Sequence, residues 1–227
     1  MDISIDITNV ILETERLILR AFAETDLDDF YSYASVPGVG EMAGWPHHGS
    51  IEASKSILKS FIDEKQVFAL FHKADNKVIG SLGIHKSWAN EDEKYKDLKV
   101  KEIGYVLCKD YWGHGLIAEA VTAVIDYGFN TLGLEAYTCG HFVENNQSRR
   151  VIEKCGFRFV KYDKYYAKLL DKHFEDIKYI RLRNDINIDH LAYYYGNRNK
   201  EARLESKYGK VEFLTTSATH AQLTSSS

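Results

Sequence analysis

The segment from Tyr111 to Ala118 (YWGHGLIA) places two glycines directly before a run with the pattern of a helix. A glycine lets a ligand approach the backbone closely because it has no Cβ. The first turn of a helix carries amide groups without intrahelical partners, and with the helix dipole they attract an anion such as pyrophosphate. The residues expected to form this site are Trp112, Gly113, His114, Gly115, Leu116, Ile117 and Ala118. The alternative is a turn that only connects two elements.

Two common nucleotide-binding motifs do not account for this loop. The sequence contains neither G-x-x-x-x-G-K-[ST] nor G-x-G-x-x-G, and the loop lies in the middle of the chain. A Walker-type NTPase and a dinucleotide-binding fold are therefore disfavoured.

A second motif follows the helix. A strand-like run, Glu135 to His141, leads into Asn145 to Phe157 (NNQSRRVIEKCGF). The order W-G-x-G, helix, strand, N-x-x-S, helix, G-F resembles the GNAT superfamily of acetyl-CoA-dependent N-acetyltransferases. In detail the chain is similar to the branch that contains the ribosomal-protein N-terminal acetyltransferases, which the opening Glu13 to Arg20 (ETERLILR) also resembles. The resemblance covers about residues 13–185.

The resemblance implies the fold and the position of the donor. The fold would be the α/β GNAT fold, a mixed, mostly antiparallel twisted sheet flanked by helices. Acetyl-CoA would be the cosubstrate, with no metal. Val106 and Leu107 would offer strand edges to pantetheine, and Asn145 and Ser148 would face the pantetheine arm and the sulfur. Arg149 and Arg150 either lie near the 3′-phosphate or, as the simpler interpretation, form a solvated helix face.

The reaction that this family performs requires a deprotonated amine. At pH 7 this costs a lysine side chain about 4–5 kcal/mol but an α-amino group only about 1 kcal/mol. Glu102, on the strand before the glycine loop, is the first candidate base by resemblance, and His85 is the second. The alternatives are a solvated strand carboxylate for Glu102 and a structural or solvent-facing role for His85.

The CoA thiolate that leaves in this reaction needs little help from a general acid, because the pKa of a thiol is only about 8–9. Many GNAT enzymes place a tyrosine seven residues after the asparagine of N-x-x-S, but this chain has Ile152 there. Ser148 or a water is the expected substitute. Ile117 is a second departure, since the family often has Gly or Ala at that position.

The amine acceptor is expected to bind at the loop from Met42 to His48. Trp45 offers a flat apolar surface, and His47 and His48 offer polar groups. Adjacent histidines without further ligand spacing do not indicate a metal. The expected acceptor is first a peptide or protein N-terminus and second a small amine or an aminoglycoside-type compound. The competing function is a non-catalytic acyl-CoA-binding module.

Composition excludes several other classes. The net charge of −4 and pI near 6.1 disfavour nucleic acid as a partner. No apolar run has membrane-spanning length, and the N-terminus does not have the pattern of a signal peptide. Three cysteines without a C-x-x-C suit a reducing, cytoplasmic location. The chain is expected to be a monomer or a homodimer.

The elements are expected to form one acetyltransferase domain over residues 1–186. Strands are predicted over residues 100–107 and 135–141 and helices over 116–130 and 145–155, with Ser50 capping another helix at 51–64 and a capping box at Thr25 and Asp28 starting a short one. Residues 86–99 are predicted to be an exposed loop. Residues 187–227 form an extension that briefly resembles the lead-in of a class I methyltransferase and ends in a low-complexity stretch expected to be disordered.

Overall fold

The computed structural model describes residues 1–183, 203–206 and 209–212. The chain divides into two compact units, Met1–Asn184 and Asp185–Ser227. The first unit contains one sheet of eight strands in the order β1-β2-β3-β4-β5-β6-β8-β7. These strands are β1 (Leu12–Glu13), β2 (Leu17–Ala21), β3 (Val67–His72), β4 (Lys77–Lys86), β5 (Val100–Leu107), β6 (Ala136–Phe142), β7 (Arg158–Ala167) and β8 (Lys172–Leu182).

Four helices flank the sheet. They are α1 (Leu27–Ala34), α2 (Ile51–Glu64), α3 (Leu116–Asn130) and α4 (Asn146–Lys154). Helices α1 and α2 pack together over an apolar cluster that includes Phe30, Leu58 and Ala69. Helix α3 packs over a second cluster that includes Leu82 and Ile103, and α4 packs beside it. The sheet is therefore the middle layer of an α/β domain.

Local chemistry explains where the helices begin and end. Helix α2 begins where Ser50 Oγ accepts the amide of Ala53 at 3.2 Å, which is a side-chain cap. It ends at Lys65, whose φ of 57° is the left-handed conformation common after helices. Helix α4 begins after Asn145, whose Oδ1 accepts the amide of Ser148 at 3.0 Å.

The pairing of β5 with β6 is irregular and leaves an open space in the sheet. Strands β5 and β6 are parallel, whereas every other pairing among the described strands is antiparallel. They pair only over Val100–Glu102 with Ala136–Thr138 and then diverge. We call the space between the diverging strands the gap. Its two edges are backbone without a strand partner, which can bind another chain-like molecule.

The predicted α/β fold with a mixed, mostly antiparallel sheet is confirmed, and the bounds of β5 and α3 match the prediction. The predicted capping box at Thr25 and Asp28 is wrong. Thr25 lies inside a 3₁₀ turn at Glu24–Asp26, and it is Asp26 that accepts the amide of Ala23, at 2.8 Å. The carboxylate that fixes this turn is two residues earlier than the pattern indicated.

The prediction of an exposed loop over residues 86–99 is also wrong. Ala89 is fully buried and Tyr95 is 8% exposed, and both pack against Val100 at the start of β5. Because most neighbouring residues are charged, the sequence pattern did not indicate that these two apolar residues pack on the sheet and hold the segment there.

In the second unit, Arg203–Ser206 (β9) and Gly209–Glu212 (β10) form an antiparallel hairpin. The rest of the predicted extension, including its low-complexity end, lies outside the described residues. No helix within the described part of the chain is both long and apolar enough to span a membrane.

Candidate active site at the gap

A cavity of about 1150 Å³ fills the gap and continues beneath the loop between α1 and α2. Its lining is chemically divided along its length. The end at the start of α3 contains the cations Arg150 and Lys154, whereas the opposite floor contains the carboxylates Glu102 and Asp176 with the single ammonium of Lys178, a net negative cluster. A long ligand that is anionic at one end and delivers a group to a cation at the other would match this division.

The glycine loop has the geometry of an anion site. Gly113 and Gly115 have φ of 82° and 78°, in the left-handed region that favours glycine. Gly115 is the N-cap of α3 and supplies no side-chain cap, so the amides of the first helical turn have no intrahelical partner. Ile117 is 6% exposed and belongs to the core cluster, and it also lines the cavity.

An ion pair from Arg16, the residue before β2, holds this loop in place. Arg16 Nε and Nη2 lie 2.8 and 2.6 Å from Glu119 Oε2 on α3. Arg16 Nη1 donates to the carbonyl of His114 at 2.9 Å, and Thr14 Oγ1 donates to Glu119 Oε1 at 2.6 Å. His114 itself is exposed and is not among the described residues that line the cavity. Its role in this geometry is as the attachment point of Arg16.

Two cations approach the loop from the direction of α4. Lys154 Nζ lies 3.8 Å from the position that a Cβ on Gly115 would occupy, and Arg150 lines the cavity. Arg149 instead forms an exposed pair with Glu153, Nε to Oε1 2.8 Å. Arg150 and Lys154 are thus positioned to meet phosphate groups, while Arg149 lies on the solvated face.

The gap-facing edge of β5 follows from its register with β4. The amide of Cys108 donates to the carbonyl of Ile79 at 2.8 Å, which sets the phase of the β4–β5 pairing. Because antiparallel strands alternate, the backbone of Val106 bonds to β4, while that of Tyr105 and Leu107 points into the gap. The expectation that Val106 offers the strand edge is therefore wrong, although Val106 lines the cavity. The carbonyl of Leu107 already accepts the indole N–H of Trp112 at 2.8 Å.

A hydroxyl pair stands at the N-terminus of α4. Tyr105 Oη lies 2.7 Å from Ser148 Oγ, and both residues line the cavity. Asn145 caps the amide of Ser148, and its Nδ2 lies 3.5 Å from the carbonyl of Met42. Burial raises the pKa of Tyr105 well above its usual value, so the phenol stays protonated. Ile152 is 1% exposed, belongs to the core, and is not among the described residues that line the cavity.

Glu102 and His85 lie side by side on the cavity floor. They are direct partners across β4 and β5, so their side chains share one face. The next pair on this face is Gly83 and Gly104, and a Cβ on Gly83 would come within 2.1 Å of His85 Nε2. The absence of a side chain there lets the imidazole lie flat. Desolvation by the cavity walls lowers the pKa of His85, so the ring is neutral at pH 7.

Glu102 belongs to a wider polar cluster. Its Oε2 accepts the hydroxyl of Thr138 at 3.1 Å. Burial raises the pKa of Glu102, and the nearby Lys178 ammonium partly opposes this. Lys178 Nζ is also 2.7 Å from Asp176 Oδ2 on the same strand, β8. With both carboxylates ionised this cluster has a net charge of −1, which an incoming ammonium would balance.

The loop from Pro37 to Gly49, here called the acceptor loop, forms the roof. Glu41 accepts the amide of Gly38 at 2.6 Å and His47 Nδ1 lies 2.8 Å from its Oε1. Partial burial opposes ionisation, but these hydrogen bonds lower the pKa of Glu41 to about 2. A Cβ on Gly44 would lie 3.0 Å from Tyr165 on β7, so the loop reaches across the cavity.

The three acceptor residues predicted on this loop all line the cavity. Trp45 stacks over Gly40, where a Cβ would come within 2.2 Å of the indole. His47 is half exposed. His48 is 6% exposed, its Nδ1 is 2.7 Å from Ser54 Oγ, and its ring packs against Phe30. Trp45 and His47 are accessible to a ligand, whereas His48 supports the wall.

Comparison with known proteins assigns the chain to a family. A family profile described as the acetyltransferase (GNAT) domain matches residues 16–158. The chain belongs to the GNAT family of acetyltransferases. The uncharacterized N-acetyltransferase YoaA of Bacillus subtilis (strain 168) is 30% identical over 153 residues, which cover 65% of this chain and 82% of that protein.

Solved structures share the fold of this GNAT protein. The ribosomal-protein-S5-alanine acetyltransferase from Vibrio fischeri aligns with a TM-score of 0.61 and 20% identity, over 78% of this chain and 98% of that one. The microcin C7 self immunity acetyltransferase MccE, solved with acetyl-CoA and AMP, aligns with a TM-score of 0.61 and 19% identity, over 74% and 93%.

The GNAT protein is an acetyl-CoA-dependent acetyltransferase. The residues of the site fit this donor, since loop amides and two cations face a pyrophosphate position and an unpaired strand edge faces the gap. No cluster of three or more His, Cys, Asp or Glu within residues 1–183 and the short hairpin strands could hold a metal ion.

Sequence patterns missed Tyr105, Lys154, Asp176 and Lys178. Tyr105 and Lys178 are on strands, and the sequence does not show which strands are neighbours. Lys154 is near the end of a helix where charged residues usually face water. The alternation of side chains along β5 predicts that Tyr105 and Glu102 lie on opposite faces of the sheet. It does not predict their partners, which come from β4, β8 and α4.

Proposed function

We propose that this protein moves the acetyl group of acetyl-CoA directly to a primary amine in a ternary complex, and that the amine is a peptide or protein N-terminus. The observation that carries the proposal is the division of the cavity, with loop amides, Arg150 and Lys154 at one end and Glu102 at the other. Bound acetyl-CoA would supply an activated thioester along the gap. The remaining steps belong to residues of the chain.

Glu102 is the proposed base. It lies on the cavity floor, within a cluster of net negative charge that attracts an ammonium, and its raised pKa brings it closer to the pKa of an amine. An α-amino group loses its proton easily, so one carboxylate suffices. His85, neutral and adjacent on the same face, is the second candidate and can pass the proton to solvent.

Ser148 is the proposed group that meets the departing sulfur. When Tyr105 donates its O–H to Ser148 Oγ, at 2.7 Å, the serine proton is free to point into the cavity. A thiolate with a pKa of about 8–9 needs only a hydrogen bond or a weak acid. Amides of β5 that face the gap are the fixed donors available to the carbonyl oxygen.

The choice of a peptide N-terminus, and of the ribosomal-protein branch, rests on two supports. The opening ETERLILR resembles that branch, and the fold aligns with a ribosomal-protein-S5-alanine acetyltransferase. A small amine or antibiotic is the second candidate acceptor. A non-catalytic acyl-CoA-binding module is favoured only by Ile152 in place of the usual tyrosine.

The decisive experiment follows thiol release from acetyl-CoA with a panel of small amines and short peptides that differ in their N-terminal residue. Amine-dependent release that falls at least about a hundredfold in Glu102→Gln, with acetyl-CoA affinity retained, would support the proposal. Glu93→Gln is the control, because Glu93 lies in an exposed pair with Lys96. Tight acetyl-CoA binding without release on any acceptor would favour the binding module.

A further inference from the structure

The cavity floor contains an ion pair that the acyl-transfer steps above do not use. Lys178 and Asp176, two residues apart on β8, have side chains that are 12% and 6% exposed. Both residues line the cavity, and their Nζ and Oδ2 atoms are 2.7 Å apart. A buried pair of this kind is usually no more stabilising than apolar side chains of the same size, because desolvation offsets the attraction. A role in ligand recognition is the better explanation for charges that face a cavity.

The sheet register brings this pair towards Glu102. Thr138 on β6 is the partner of Glu102, and Gly140, on the same face of β6, is the partner of Lys178. Gly140 has no side chain, and a Cβ there would lie only 3.4 Å from Asp176 Oδ1. The glycine therefore leaves room for the Asp176 carboxylate, and the Lys178 ammonium that pairs with it is close enough to Glu102 to interact with that carboxylate as well.

The ammonium of Lys178 has donors to spare. An ammonium has three N–H donors, and Asp176 accepts one of them. Asp176 and Glu102 hold Lys178 in its charged form, since both favour the ammonium. The acceptor end of the cavity thus presents one carboxylate that attracts an amine and, beside it, one positive donor that attracts an oxygen.

We propose that Lys178 binds the carbonyl oxygen of an α-aminoacyl acceptor whose amine lies at Glu102. This inference rests on the proposed acetyl transfer to amines and narrows its substrate class. In an α-aminoacyl group the amine and the carbonyl oxygen are separated by only two carbon atoms, so adjacent groups of opposite charge can bind both. An alkylamine or a polyamine has no oxygen in this place and leaves the donors of Lys178 unsatisfied.

The test compares two acceptors that differ in the carboxamide alone, phenylalaninamide and 2-phenylethylamine. The wild-type chain should favour the amide in kcat/KM by about tenfold or more, as expected for a hydrogen bond to a charged donor. The ratio also contains a factor from the lower basicity of the α-amine, which is the same in every variant, so Lys178→Met should lower the ratio about tenfold relative to the wild type. A change in the basicity of Glu102 affects both acceptors equally and cancels in the ratio. Lys172→Met, on an exposed part of the same strand, should leave the ratio unchanged.

Equal use of both amines by the wild type, or the same ratio in Lys178→Met as in the wild type, would overturn the carbonyl site. Failure to acetylate either amine would contradict the proposed function instead. In that case calorimetry with phenylalaninamide and CoA decides the inference: weaker binding to Lys178→Met supports it, and equal binding overturns it.

Discussion

Arg16 and Glu119, 103 residues apart in the chain, form a two-pronged ion pair behind the glycine loop, with Arg16 Nε and Nη2 at 2.8 and 2.6 Å from Glu119 Oε2. The same guanidinium binds the carbonyl of His114 at 2.9 Å. One side chain thereby connects the segment that enters β2, the glycine loop and α3. The arginine of the opening motif contacts the backbone of the proposed phosphate-binding loop through the carbonyl of His114.

Replacing Arg16 by Lys should weaken acetyl-CoA binding because an ammonium cannot bind Glu119 and His114 in the same planar arrangement. We expect KM for acetyl-CoA to rise about tenfold, with kcat little changed, since a loss of one or two charged hydrogen bonds is of this size. Steady-state kinetics measure both constants. Arg149→Lys, in an exposed pair on α4, is the matched control. An equal rise in both variants would refute a specific role for Arg16.

Replacing Gly113 by Ala should show how much the loop depends on its backbone conformation. Gly113 has φ of 82° and open space around the position of a Cβ, so the substitution adds backbone strain of about 1–2 kcal/mol and no clash. Either the loop relaxes and loses its amide geometry, or stability falls. Calorimetric affinity for CoA and Tm should both decrease. Gly49→Ala, also in open space but without positive φ, should change neither.

In a plot of kcat/KM against pH, the decline at acidic pH (the acidic limb) should result from protonation of Glu102. Burial raises the pKa of Glu102 above its usual value near 4.5, and a base must be ionised, so kcat/KM should decline as the pH drops through that raised pKa. Glu102→Gln should lose this limb and retain the separate one, near pH 8, of the acceptor α-amine. His85→Asn should keep both limbs. Persistence of the acidic limb in Glu102→Gln would assign it to another group.

Tyr105 and Ser148 should act as one unit. Tyr105→Phe keeps the ring and removes the hydroxyl that lies 2.7 Å from Ser148 Oγ. We expect kcat to fall about tenfold in Tyr105→Phe and in Ser148→Ala, while the double variant is little worse than either, because each change breaks the same hydrogen bond. Tyr166→Phe, whose hydroxyl binds Asp171 at 2.5 Å outside the cavity, is the control. Multiplicative losses in the double variant would show independent roles.

The features that could be predicted from the sequence are those that depend only on residues adjacent in the chain, such as the starts of helices. Gly115 before an apolar run marked the start of α3, and Asn145 marked the start of α4, because caps and turns depend on local chemistry. The register of the sheet is not local. The approach of Lys178 to Glu102 depends on which strand stands between them, and no periodicity in either strand encodes that neighbour.

The burial of single residues within polar segments could not be predicted from the sequence either. Ala89 and Tyr95 lie among charged residues, and their anchoring role depends on Val100 and on the third apolar cluster that they complete. Composition averaged over the segment predicted solvent exposure. The same reasoning explains His48, whose hydrogen bond to Ser54 and contact with Phe30 come from the packing of α1 and α2.

The short pairing of β5 with β6 has a mechanical consequence. Three residue pairs are the whole hydrogen-bonded seam between the half-sheet β1–β5 and the half-sheet β6, β8 and β7. A donor whose amide-bearing arm hydrogen-bonds to the facing edges of β5 and β6 would join the two half-sheets as an added strand does. We therefore expect the two half-sheets to be held together more rigidly with the donor bound than without it, so that release of CoA after transfer loosens their connection.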